Sequence, residues 1–117
     1  MFNVVVEWLD REKSSARFAL PGRMEWRAEH IEALIHLLGE IRQQMSPGVS
    51  EEPPPTHAEA QHDPRYCTQL HPFSGGTLLE FRHPSLGWME FVLPSRERLR
   101  ISRLLVEQEE AWERFPR

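Results

Sequence analysis

The chain has 117 residues, of which 39% are apolar and 27% charged, with a formal net charge of −4. That length suits one domain, the acidic balance argues against a general phosphate-binding surface, and the lone Cys67 cannot close an internal disulfide. No apolar run approaches the ~20 residues a membrane helix needs, and the N-terminus lacks a basic n-region with a cleavage site. The expectation is therefore a soluble, cytoplasmic protein in a reducing compartment, without nucleic-acid or membrane partners. Thirteen of fourteen basic residues are arginine and only Lys13 is lysine, a bias that fits a GC-rich bacterial genome.

Along residues 2–8, Phe2, Val4, Val6 and Trp8 alternate with Asn3, Val5 and Glu7, and this period of two predicts a half-buried strand. Residues 10–15 are charged or small and predict a turn. Ala16, Phe18 and Leu20 then alternate through a second strand that ends at Pro21-Gly22. Ile31, Leu34, Ile35, Leu38, Ile41 and Met45 recur at spacings of three and four, predicting a helix from residue 25 or 27 to 45. Ser46-Pro47-Gly48 stops it. Residues 46–64 hold Pro47, Pro53, Pro54, Pro55 and Pro64 with little to bury, so they predict a flexible linker.

Beyond the linker the first pattern returns. Residues 5–21 align without a gap on residues 78–94, at a constant offset of 73. Glu7 meets Glu80, Phe18 meets Phe91, and Leu20-Pro21 meets Leu93-Pro94, while Val5, Val6 and Trp8 meet Leu78, Leu79 and Phe81. The stretch from His83 to Trp88 reads as a hairpin tip. A second helix is predicted with Ser95 as its N-cap. Its stripe carries Ile101, Leu104, Leu105, Gln108, Ala111, Trp112 and Phe115, and it superposes on the first helix at an offset of 70. That leaves about three extra residues near 22–26 in the first copy. A repeat of this kind dictates architecture. The expected fold is α+β: tandem ββα-ββα units (1–45 and 65–117) forming a four-stranded antiparallel sheet with both helices packed on one face. Phe18 and Phe91 would be equivalent core positions. Glu7, Arg17, Glu80, Arg82 and Glu90 would line the other face, joined by Leu9 and Trp88 if Phe91 points inward.

Candidate chemistry is sparse. His30 and His36 lie six apart, about 240° around a helix, and cannot grip one ion as an i, i+4 pair would. His57 and His62 lie in the linker without metal-ligand spacing, and His83 reads as a turn residue. Cys67 with His71 four residues on lacks the surroundings of a Cys-His enzyme. Ser74-Gly75-Gly76-Thr77 lacks the lysine of a phosphate loop and leads into a strand, so it reads as slack before the second copy. No catalytic residue, metal ligand or cofactor is expected. The second helix places Arg96, Arg98, Arg100 and Arg103 first and Glu107, Glu109, Glu110 and Glu113 last, the reverse of what its dipole favours. Arg103–Glu107 and Glu110–Arg114 would offset part of that cost as i, i+4 pairs.

These features together lead to the expectation of a small bacterial non-catalytic protein-interaction module: an adaptor, inhibitor or immunity-type protein. Its partner would be another protein or a second copy of itself, with Trp88, Arg100 and Arg103 as anchors. The alternative expectation is a small-molecule-binding or hydrolytic domain with a site between the two copies, near Cys67, His83 and the linker.

Overall fold

A computed structural model describes residues 4–22 and 25–116. The elements are β1 (Val5–Trp8), β2 (Ala16–Ala19), α1 (Ala28–Gln44), β3 (Tyr66–Leu70), β4 (Thr77–His83), β5 (Gly87–Leu93) and α2 (Ser95–Arg114). The class is α+β. The chain divides into two compact units, Met1–Glu59 and Ala60–Arg117. Phe2 and the extra residues Arg23 and Met24 lie outside the described residues.

In the first unit, β1 and β2 form an antiparallel hairpin with Val6 opposite Phe18 and Trp8 opposite Ala16. The intervening loop is held by Asp10, whose carboxylate accepts from the Ser14 backbone N–H at 3.0 Å, the Ser15 N–H at 3.3 Å and the Ser14 hydroxyl. The Ser14 hydroxyl, first of these causes, holds the Asp10 carboxyl below its ordinary value of 3.8. Lys13 takes a left-handed φ of 57° at the loop tip and sets its ammonium 5.3 Å from the Trp8 ring. Helix α1 opens with the Arg27 backbone N–H donating to His30 Nδ1 at 3.1 Å, the reach-back half of a capping box. Ile41, at 7% exposure, is the buried apolar residue among those described.

The second unit carries a three-stranded sheet in the order β3-β4-β5. Leu78 opposes Val92, Leu79 opposes Phe91, Glu80 opposes Glu90 and Phe81 opposes Met89. Each of these four pairs is the β1–β2 pair shifted by 73 residues. The ladder then continues through Arg82↔Trp88 and His83↔Gly87 to a three-residue tip. Gly87 there adopts φ 71°, the left-handed conformation that suits glycine in such hairpins. His83 Nδ1 accepts from the Ser85 and Leu86 backbone N–H groups at 3.0 and 3.2 Å, so His83 serves as a turn residue.

The strands do not form one four-stranded sheet: they lie in two sheets of two and three. Strand β3, which the expected plan did not include, pairs along the edge of β4. Closing the short loop between β3 and β4 costs less chain entropy than pairing across residues 46–64, and strands adjacent in sequence tend to pair. Neither are both helices packed over a sheet face. Helix α2 has no buried residue, and the apolar sheet face stays open, with Tyr66 at 72% and Phe91 at 50% exposure. Phe18 and Phe91 thus occupy matching positions, but neither is a core residue.

Candidate interaction face

The sheet of the second unit sorts its side chains by register. Tyr66, Thr68 and Leu70 of β3 lie beside Phe81, Leu79 and Thr77 of β4, which in turn oppose Met89, Phe91 and Leu93 of β5. This face is apolar, and the Tyr66 and Phe81 rings approach to 6.3 Å between centroids. The other face carries Cys67, Gln69, Leu78, Glu80, Arg82, Trp88, Glu90 and Val92. A partner would meet different chemistry on each side. Every residue of β3 is exposed, and among the described residues its outer edge has no neighbouring strand within the sheet. Such an edge leaves peptide N–H and C=O groups open to an added strand.

The sequence already contained a sign of β3. Tyr66, Thr68 and Leu70 recur at a period of two between Pro64 and Pro72, which is a strand pattern between breakers.

The turn between β3 and β4 is firmer than slack. The His71 N–H donates to the Gly76 carbonyl at 2.8 Å and the Gly75 N–H to the His71 carbonyl at 2.9 Å. A Cβ on Gly76 would collide with the Leu93 carbonyl oxygen, so only glycine fits there. Arg98 of α2 clamps the same turn, donating from Nε to Thr77 Oγ1 at 2.6 Å and from Nη2 to the Gly75 carbonyl. Its fork fixes where α2 leaves the sheet.

Trp88 lies at the tip end of β5 on the polar face, opposite Arg82, and is 43% exposed. Phe91 lies on the apolar face and Trp88 on the polar one. Arg100 and Arg103 are exposed on α2, and Arg100 Nη1 lies 3.8 Å from Glu97 Oε2. Trp88 belongs to the opposite end of β5 from the strand end that feeds α2, whose first turn is tied to Thr77 of the apolar face. The three expected anchors therefore do not form one cluster. Among the described residues, neither Arg103–Glu107 nor Glu110–Arg114 closes to an ion pair.

Cys67 Sγ donates to Glu80 Oε1 at 3.3 Å. That hydrogen bond, with the Glu80 and Glu90 charges behind it, pushes the thiol above its ordinary 9.0 and keeps it protonated. A nucleophilic cysteine needs the opposite shift. His71 turns to Ser74 instead, with Nδ1 and Oγ 2.7 Å apart. His36 sits 3.2 Å from Glu40, one helical turn on. Among the described residues no group of three His, Cys, Asp or Glu side chains is placed to hold a metal ion, and no helix is long and apolar enough to cross a membrane. An open depression of about 250 Å³ is lined by Gln61, His62, Pro64, Arg65, Arg82 and Pro84. Compared with known protein families, curated proteins and solved structures, the chain matches none.

Proposed function

We propose that this chain is a bacterial, cytoplasmic, non-catalytic protein-interaction module of the adaptor, inhibitor or immunity type, built by internal duplication of a ββα unit. The observation that carries the reading is the open apolar face of the β3-β4-β5 sheet beside the unpaired β3 edge. An extended segment of a partner protein would add to β3 through backbone hydrogen bonds, with alternate side chains laid on Tyr66, Phe81 and Phe91. Trp88 would anchor contacts on the polar face, since its ring follows a tip ordered by His83 and loses little freedom on binding. The coincident hairpin registers at an offset of 73 support the duplication.

The test is retention of a partner from native cell extract by the wild-type chain and by variants whose fold is verified by circular dichroism. Tyr66→Ala should release the partner, and Trp88→Ala should weaken binding by ~2 kcal/mol or more if it is a hot spot. A partner held equally by both variants would remove this assignment.

One observation favours a second reading, a small-molecule site. Arg65, Arg82 and His62 converge on one depression, a setting that suits a small carboxylate or phosphate. Calorimetric titration with inorganic phosphate, compared between wild type and Arg82→Ala, decides whether anything is held there.

A further inference from the structure

Helix α2 has the side chains of a helix–helix seam, and none of its residues is buried. From Ser102 to Pro116 every residue is exposed. Ile101, Leu104, Leu105, Gln108, Trp112 and Phe115 lie within one stripe at spacings of three and four. Leu105 is 58% and Phe115 61% exposed, and Trp112 and Phe115 stack at 6.0 Å to extend the apolar surface to the helix end. An isolated helix with that stripe in water is unfavourable unless something covers it.

The charges say what covers it. Arginines fill the first half and glutamates the second, against the helix dipole. Within the described residues the one ion pair on α2 is Arg100 with Glu97, both in the arginine half. Among the described residues, Glu107, Glu109, Glu110 and Glu113 form no ion pair.

We infer that α2 is the seam of a homodimer in which two copies of the helix pack antiparallel about the midpoint between Leu104 and Leu105. A two-fold axis crossing that midpoint brings Leu104 against Leu104 and Leu105 against Leu105 of the second copy and runs each arginine half beside a glutamate half. The same axis keeps like flanks together. On one flank Arg100 then meets Glu107 of the second copy, and the two-fold axis repeats that pair, each offset by only ~3 Å along the axis. A parallel pair would instead set arginines beside arginines and glutamates beside glutamates. Leu104, Leu105, Trp112 and Phe115 hold on the order of 400 Å² of uncovered apolar surface. With the alkyl stems of the flanking arginines, this approaches the ~800 Å² that each partner contributes to a standard interface. The dimer does not depend on what binds the sheet. It uses the helix and leaves β3 and Trp88 free.

Sedimentation equilibrium of the full chain tests the inference. At tens of micromolar the wild type should sediment at twice 13.8 kDa and dissociate on dilution, and more readily at high salt. Arg100→Glu and Glu107→Arg should each weaken self-association at least about tenfold. An equimolar mixture of the two should recover a dimer, an outcome that unfolded variants could not produce. In a Cys67→Ser background, Leu105→Cys should oxidise to a covalent dimer whereas Phe115→Cys should not. A wild type that stays monomeric at 200 micromolar, charge variants that dimerise as tightly as wild type, or a disulfide through Phe115→Cys would each overturn it.

Discussion

The two hairpins enclose the same number of residues and pair in the same register, yet they close differently. Between Trp8↔Ala16 the first opens into a loop, whereas beyond Phe81↔Met89 the second keeps pairing for two further rungs. The acceptor side chain that ties each loop sits at matching positions, Asp10 and His83, 73 residues apart. The second can tighten because Gly87 takes φ 71° where the first has Ser14. The central polar rung also differs: Glu7 faces Arg17, while Glu80 faces Glu90. Register thus follows the apolar pairs that the copies share, and closure and charge can diverge around it.

The widest contrast is between the helices. Ile41→Ala should destabilise the first unit by ~2–5 kcal/mol, read as a lower urea midpoint with unchanged slope. At the matching position α2 has Ala111 already, exposed. A small effect at Ile41 would mean that α1 is no better anchored than α2.

Next in size, Phe18→Ala and Phe91→Ala should each cost ~1–2 kcal/mol, well short of the ~3–5 kcal/mol of a fully buried phenylalanine. Each keeps 40% or more of its surface exposed, at 41% and 50%. Equal midpoints for the two variants in chemical denaturation would sharpen the equivalence of the positions, and a gap above ~2 kcal/mol would break it.

How far the sequence revealed this follows from the same residues. Both hairpins and both helices were legible because Val6, Phe18, Leu79 and Phe91 alternate and the helical stripes recur at three and four, but hairpin register was not, since a one-residue slip keeps the alternation and only reverses the faces. Strand β3 is marked by the alternation of Tyr66, Thr68 and Leu70, but it lies outside the repeat and has no counterpart in the first copy. The Arg98 clamp was not legible, since its partners Thr77 and Gly75 are 21 and 23 residues away and no spacing marks them. Burial was not legible either. The stripe of α2 reads the same whether its own chain or a second copy covers it.

Glu90→Arg would copy the Glu7↔Arg17 rung into the second hairpin. It should raise stability by ~0.2–1 kcal/mol by replacing like charges directly opposite one another. It should also quicken iodoacetamide labelling of Cys67 at pH 8 by a fewfold, because one of the negative charges that raise the thiol is reversed. Unchanged labelling would show that the Glu80 hydrogen bond alone holds the proton.

The smallest effect concerns acid. Asp10 is lowered in the folded chain, chiefly by the Ser14 hydroxyl. Its contribution is therefore present above its ordinary value of 3.8 and is lost as the pH falls through the lowered folded value. Wild type and Asp10→Asn should differ in stability at neutral pH and converge in strong acid. A gap that persists there would assign the loop's order to something other than the carboxylate.

A single residue, Pro94, separates β5 from α2, and Arg98 pins the first helical turn to Thr77 and the Gly75 carbonyl. The helix behind that joint is 20 residues long, a rod of ~30 Å. A rocking of ~10° at Pro94 would carry its far end ~5 Å sideways, about the pitch of one helical turn. The Arg98 fork acts as the brace of a lever, so a change in how the sheet edge is loaded would be felt, magnified, at Trp112 and Phe115.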